Sequence, residues 1–474
     1  MVVGLTMLLP LLVAISTHGP DRWVFALSLP LVSGLGVLLQ FACSEFAAVS
    51  MRQRESFLFV TMTWVVAAAC GSLPYLLYGC FPDTASAIFE SFSGFSTTGA
   101  TAMADIEIMP AGILVWRSLT HWLGGAGIVL IYITLIQKDA KGNEGGRVMK
   151  AEFSGGALTE RVTARVEDNA QAILGVYLSL TGLCFVSLRL AGMNSLEALN
   201  HTLSTVATGG FSTRNASIAA FNSPAIEWVV GVFLLLSSVN LALYYFFFVR
   251  GRVRRVLRDQ ELRLFAAIVA LSVLLVTADI YLHYYRDHSL GYSLRQAFFQ
   301  VAAILTSGGF CSADYDLWPG LARIVLYILI FVGGCAGSTA SSIKVNRFYL
   351  AWAAAKREII ACFRPHAVNT VAYNGKPVSD NVTRSVIYYF FLYFSLTLAG
   401  AVLCSAAGMQ WIEAFSGCLA SISNVGPALG GIGPAGAYAA VPAAAKYVMC
   451  FLMLAGRLEI YTVMVLFIPA LWRK

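Results

Sequence analysis

Long apolar runs separated by short polar stretches dominate this chain. A helix needs about 20 residues to cross a bilayer. On that scale the pattern predicts a short membrane helix over 2–16 and spanning helices over 23–44, 57–78, 110–136, 170–190, 224–249, 264–285, 385–407 and 442–471. One more starts near 317, breaks at 332–342 and resumes over 343–363. Four apolar runs, 85–93, 195–204, 293–305 and 412–420, are too short to cross. Each leads into a turn of small and hydroxylated residues: Phe95-Ser-Thr-Thr-Gly-Ala-Thr101, Val206-Ala-Thr-Gly-Gly-Phe211, Leu305-Thr-Ser-Gly-Gly-Phe310 and Ile422-Ser-Asn-Val-Gly-Pro427. Anchored on Gly99, Gly209, Gly308 and Gly426, the turns recur 110, 99 and 118 residues apart. Repeats of that period are supersecondary modules, larger than solenoid units.

The pattern predicts an all-α polytopic membrane protein. An N-terminal two-helix hairpin (1–50) precedes four pseudo-repeated helix–pore-loop–helix modules around one central pore. The modules take 51–137, 169–250, 251–363 and 364–474, with a polar cytoplasmic linker over 138–168. Non-helical backbone survives at membrane depth only where protein or a water-filled cavity surrounds it. Four such loops on one axis turn carbonyl oxygens inward, where they replace the hydration shell of a cation. Glycine tolerates the backbone angles this needs. The expected filter residues are Thr97, Thr98, Gly99, Ala207, Thr208, Gly209, Thr306, Ser307, Gly308, Asn424, Val425 and Gly426. Each half-helix directs its partially negative C-terminal end toward the cavity, which favours a cation. Plain helix caps or outer turns explain one such loop, but not four with the same flanks.

Composition narrows the class. Of 474 residues 58% are hydrophobic and only 12% charged, whereas soluble domains carry about 25% charged residues. The net charge of +7 could suggest nucleic acid, but its distribution argues otherwise. Of the 32 Lys and Arg, 23 fall on one side of the expected spans, including the run Arg250 to Arg263. That side is cytoplasmic by the positive-inside rule, and the four loops then face outward. The ten cysteines are scattered singly, with no C-x-x-C pair, so no metal site is signalled. Cys80 and Cys311 fall near the outer face, but most cysteines sit in apolar helices as small hydrophobes. The sequons at Asn200, Asn215 and Asn381 read as chance, and His121 as a satisfied buried imidazole.

Two features suit a gate. Arg457 lies midway along the last expected helix, and a charge at that depth marks function by default. Glu459 is a poor partner for it, because residues two apart do not face each other on a helix. The break at 333–342 offers Gly333, Gly334 and Gly337 for non-helical backbone, hydroxyls on Ser338, Thr339, Ser341 and Ser342, and Lys344 close by.

These residues resemble the Trk/Ktr/HKT superfamily of potassium transporters, most closely its TrkH/TrkG branch. The motifs span the chain: Thr97-Thr-Gly-Ala-Thr101, Pro110, Trp116-Arg117 through Gly127, Ala207-Thr-Gly-Gly-Phe-Ser212, Gly333-Gly-Cys-Ala-Gly-Ser-Thr339, Asn424-Val-Gly-Pro427 and Gly456-Arg-Leu-Glu459. The resemblance implies a multi-pass protein of the bacterial inner membrane that takes up K+ without a cofactor. It implies a homodimer with one pore per subunit and a TrkA-like cytosolic nucleotide-binding subunit on the basic face. It also implies a gate formed by the broken helix and Arg457. Four filter glycines point to K+ rather than Na+, with the third-loop residue ambiguous because Ser307 precedes Gly308-Gly309. Channel-like flow and proton-coupled symport both suit these residues. The competing classes are a sodium-selective superfamily member, a secondary transporter of an organic solute, and an intramembrane enzyme. No nucleophile–base set, P-loop or paired catalytic carboxylates stand out for the last.

Overall fold

The computed structural model describes residues 1–42, 53–138, 166–364, 370–469 and 472. The expected linker at 138–168 falls almost wholly outside the described residues, as do Arg52, Lys141, Arg147, Lys150, Arg161, Arg165, Arg473 and Lys474. Among the described residues five helices are long and apolar enough to span a bilayer, and seven if two bent pairs each count once.

The N-terminal hairpin comprises Val2–Thr6, Leu8–Ser16 and Arg22–Ala42. Oδ2 of its buried Asp21 accepts from the backbone N–H of Ile113 at 3.0 Å. A residue outside the first module thus caps a helix inside it, satisfying a donor that the helix start leaves unpaired.

Each module repeats one plan. The incoming helices are Gln53–Gly71 with Leu73–Tyr78, Val166–Leu190, Gln260–His283 and Asp380–Ala406. The half-helices, here pore helices 1 to 4, are Thr84–Phe95, Ser195–Val206, Leu290–Leu305 and Trp411–Ser423. Asp83, Asn194 and Ser289 cap the first three, each accepting from a backbone N–H three residues on. The outgoing helices are Ala111–Lys138, Pro224–Ser237, Gly320–Phe331 and Ala443–Arg457. Each packs against the pore helix of the next module: the first against pore helix 2, the second against 3, the third against 4 and the fourth against 1. That last contact closes the ring.

Two expected helices are broken. Pro224–Ser237 gives way to Leu241–Val249 at a bend of 94°, and Ala443–Arg457 to Ile460–Phe467 at 118°. Apolarity alone cannot distinguish a straight span from a bent one, and here the break is held by partners distant in sequence. The carbonyls of Ser237 and Ser238 accept from the backbone N–H of Thr339 and Cys335 at 3.4 and 2.9 Å. Asn240 then caps the new helix through Ala242 N–H at 2.9 Å. In the fourth module Glu459 takes φ +64° and ion-pairs with Arg347 at 2.6 Å. Arg457 therefore ends a helix rather than standing midway along one. Three of the four outgoing helices break, and only the first module's runs on.

Outgoing helices also touch the ends of their own pore helices. A Cβ on Gly456 would meet the Ile422 carbonyl oxygen at 2.0 Å. Gly456→Val should therefore destabilise the fold by about 1–3 kcal/mol, the usual cost of overpacking. Thermal melting in detergent checks this, and an unchanged midpoint would show that the two helices are free to separate.

Candidate functional site: four converging loops and the segment beneath them

The four pore helices end in the same way. Thr97, Thr208, Ser307 and Asn424 take left-handed φ of 55, 54, 56 and 54°. Their backbone N–H groups bond the carbonyls of Gly94, Thr205, Ile304 and Ser421. In loops 1, 2 and 4 the next N–H, from Thr98, Gly209 or Val425, reaches the carbonyl of Ser93, Ser204 or Ala420 at 2.8–3.0 Å. This is a Schellman closure. In loop 3 Gly309 makes the corresponding bond, to Ala303. Each loop is thus a helix cap first, and the chain then turns outward.

Two residues after each left-handed residue stands a glycine with positive φ: Gly99 (+80°), Gly210 (+93°), Gly309 (+60°) and Gly426 (+90°). This corrects the expected register. The backbone equivalents of Gly99 and Gly426 are Gly210 and Gly309, one place beyond Gly209 and Gly308. Gly209 is small for another reason, since a Cβ there would strike the His121 ring at 2.2 Å. The signal lay in the sequence as [Thr/Ser/Asn]-x-Gly, which the glycine doublets obscured.

The loops interlock in a cycle. A Cβ on Gly99 would meet the Gly209 carbonyl oxygen at 2.0 Å; on Gly210, that of Gly308 at 2.4 Å; on Gly309, that of Val425 at 2.1 Å; on Gly426, that of Thr98 at 2.7 Å. Each glycine makes room for the next loop's carbonyl, and the fourth returns to the first. All four line one cavity of about 70 Å³, with Thr101, Arg117, Phe211, Arg214 and Tyr438 among its walls. The structure brings every expected filter residue into this ring or immediately beneath it. Thr97, Thr98, Ala207, Thr208, Thr306, Ser307, Asn424 and Val425 are buried there, and the Asn424 amide joins two loops by donating to Thr98 Oγ1 at 2.9 Å.

One charged pair escaped sequence reasoning. Glu90, in pore helix 1, is fully buried and accepts from Arg117 Nε at 2.8 Å. Arg117 also donates to Thr101 Oγ1 and the Ser212 carbonyl, both at 3.1 Å, and lies 4.1 Å over the Phe211 ring. It ties loop 1 to loop 2. A carboxylate inside a short apolar half-helix was the available signal. His121 sits beside this pair, stacked on Phe211 at 4.1 Å with Nδ1 2.9 Å from Ser204 Oγ. Asn200 is buried and accepts from Ser118 at 2.8 Å. Cys80 and Cys311 are free thiols.

Inward of the ring runs the segment between Gly320–Phe331 and Val345–Phe363. Gly333 N–H bonds the Ile343 carbonyl at 2.8 Å, which pinches the segment into a loop. Thr339 Oγ1 donates to the carbonyls of Val206, the end of pore helix 2, and Ser237, both at 3.1 Å. Ser341 N–H meets Ser307 Oγ of loop 3 at 2.8 Å. The loop therefore lies directly under the ring. Ser338 bonds back to the Cys335 carbonyl, Ser342 to those of Ile330 and Phe331, and Lys344 Nζ to that of Ala340. Gly337 keeps φ +74° beside Asn240, and Gly334 packs on Ser238. Arg457, buried, donates to the Thr339 carbonyl at 2.8 Å, Ser341 Oγ at 2.9 Å and the Gly124 carbonyl at 3.0 Å. Glu459, beyond the end of that helix, faces Arg347 instead.

The loop's second anchor is Glu261. Its Oε1 accepts from Ala336 N–H at 2.7 Å and Asn346 N–H at 3.2 Å, one on each side of the bend. Its Oε2 accepts from the Tyr373 hydroxyl at 3.3 Å, in the hairpin Ala372–Tyr373 with Lys376–Pro377.

Arg117→Met strands Glu90 as an unpaired buried charge and should cost about 3–5 kcal/mol. Arg117→Met with Glu90→Leu should recover part of that loss. Detergent melting curves of the three variants check this, and a double variant no better than the single would deny the coupling.

Comparison with known proteins agrees with this geometry. A family model described as TrkH, cation transport protein, matches residues 24–474. The chain is 35% identical to the Trk system potassium uptake protein TrkH of Halomonas elongata, over all of this chain and 97% of the relative. It is 32% identical to TrkH of Escherichia coli K12, over 99% of this chain and 96% of the relative. The crystal structure of the potassium transporter TrkH from Vibrio parahaemolyticus superposes with a TM-score of 0.90 at 32% identity, covering 99% of this chain and 96% of that one. With its four capped loops, closed ring and near-complete coverage, this chain belongs to the TrkH family of cation transport proteins.

Proposed function

We propose that this multi-pass membrane protein takes up K+ across the bacterial inner membrane through the four-loop ring. The observation that carries the reading is the cyclic interlock of Gly99, Gly210, Gly309 and Gly426 around one cavity. Relatives over the whole chain named as potassium uptake proteins support the choice of ion. Backbone carbonyls substitute for the ion's water. The filter comprises the residues around these glycines, from Thr97 to Gly99 and their counterparts in the other loops. A negative-inside potential drives entry, with about 2.3 kcal/mol per charge per 100 mV.

In this reading the loop 333–342, Lys344 and Arg457 form the gate. Two hydrogen bonds from one buried guanidinium, to Thr339 and Ser341, hold the loop across the exit from the ring, and a third ties that guanidinium to the Gly124 carbonyl of the first outgoing helix. For the loop to move, Arg457 must release Thr339 and Ser341. A cytosolic nucleotide-binding subunit of the TrkA kind acts on it from the inner face. The link from the 372–377 hairpin through Tyr373 and Glu261 to Ala336 supports that route. The homodimer rests on family resemblance. The module limits 51–137, 169–250, 251–363 and 364–474 stand as functional units of the same proposal.

The test is growth of a potassium-uptake-deficient bacterium at low K+, with the regulatory subunit supplied. Rescue is expected, and a well-expressed protein that fails to rescue counts against the reading. Arg457→Met should raise K+ leak in the absence of the regulator about tenfold, the scale of hydrogen bonds to a charged group. Tracer flux into proteoliposomes reads it, and unchanged flux removes Arg457 from the gate. Gly99→Ser puts a side chain where the Gly209 carbonyl lies, and should raise Na+ permeation relative to K+. A sodium-selective transporter would instead be indifferent to that change.

A further inference from the structure

The rising strand of each loop is held by a side chain from its own pore helix. Seven residues before the left-handed residue stand Glu90, His201, Gln300 and Gly417. The first three are fully buried. Glu90 accepts from Ala102 N–H at 2.8 Å and Thr101 Oγ1 at 3.0 Å. The Gln300 amide faces the same strand, and with its oxygen turned toward the two N–H donors there it accepts from Ser312 N–H at 2.8 Å and Ala313 N–H at 3.2 Å, the orientation that satisfies both ends of the amide. Ala102 and Ser312 both stand five residues after the left-handed residue.

His201 reaches the same end by different chemistry. Its Nδ1 lies 2.8 Å from the Glu197 carbonyl, which accepts only, so Nδ1 carries the proton. Nε2 is then an acceptor, 2.9 Å from Ser212 Oγ, and the Ser212 hydroxyl donates to it. In the fourth module Gly417 has no side chain. The neighbouring Ser416 Oγ takes the role, accepting from Leu429 N–H at 3.3 Å, again five residues after the left-handed position.

We propose that Glu90, His201, Gln300 and Ser416 are positioning residues for ion selection. Each offers one acceptor to the rising strand, and together they set the height of the strands that carry Gly99, Gly210, Gly309 and Gly426. Four unlike side chains doing one job explain how unlike loops form a near-symmetric ring. The inference rests on the reading of that ring as a K+ filter.

The test compares His201→Leu with His201→Gln in proteoliposomes, reading the reversal potential under opposed K+ and Na+ gradients. Leucine removes the acceptor; glutamine replaces it with the group that the third module uses. His201→Leu should raise Na+ permeability relative to K+ by about fivefold, the scale of one buried hydrogen bond. His201→Gln should restore most of the K+ preference, which a loss of packing alone would not allow. Ser416→Ala removes a single oxygen, so it assembles even if His201→Leu does not, and it should shift the ratio in the same direction. Size-exclusion profiles confirm assembly. A K+-selective wild type with unmoved ratios in Ser416→Ala and the assembled His201 variants overturns the inference alone. So does a His201→Gln ratio equal to that of His201→Leu. A wild type that carries no K+ overturns the transport reading, and this inference with it.

Discussion

The structure depends on one contact made four times: a carbonyl oxygen lodged against the bare Cα of a glycine in the neighbouring loop. A methyl group at any of these positions would lie within 2.7 Å of that oxygen. A real Cβ–oxygen contact is longer, so only glycine allows the loops to approach and close into a cycle. Positive φ adds a second demand for glycine at the same positions. The ring fixes where the pore helices end, and outgoing helices must then cover the pore helix of the next module. Closure of the outer helices follows from closure of the inner loops.

Burying this much polar backbone sets a further constraint. In hydrocarbon each unpaired N–H or C=O is costly, and the loops supply their own partners. Schellman bonds take the helix ends, and side chains of the pore helices take the rising strands. The inner segment is built from the same economy. Its backbone closes on the broken second outgoing helix, Arg457 holds it at Thr339 and Ser341, and Glu261 holds it at Ala336 and Asn346. An arginine there is tolerated because its guanidinium meets three oxygens. It also gives the segment a charged clasp whose release is a discrete event.

Much of the site was legible in the chain. The half-length apolar runs, the hydroxyl-rich turns after them, the 333–342 break and Arg457 were all visible. Their backbone register was not. In loops 2 and 3 two glycines stand side by side for different reasons, Gly209 to clear His121 and Gly210 to turn the chain. Composition weighs the two equally. Glu90 was hidden in the same way, since a lone carboxylate in a half-helix has no visible partner until Arg117 comes 2.8 Å from it.

By itself the sequence determined the number of modules, the order of elements within each and the membrane setting. Those follow from local apolar length and turn chemistry, which neighbours in the chain decide. Tertiary structure alone decided where the helices break. Pro224–Ser237 and Ala443–Arg457 end because Cys335, Thr339 and Arg347 meet them from other modules. It likewise decided which glycine faces which carbonyl. That choice depends on contacts made across about a hundred residues or more, such as Gly210 against Gly308 and Gly426 against Thr98, and no pattern within one loop contains it.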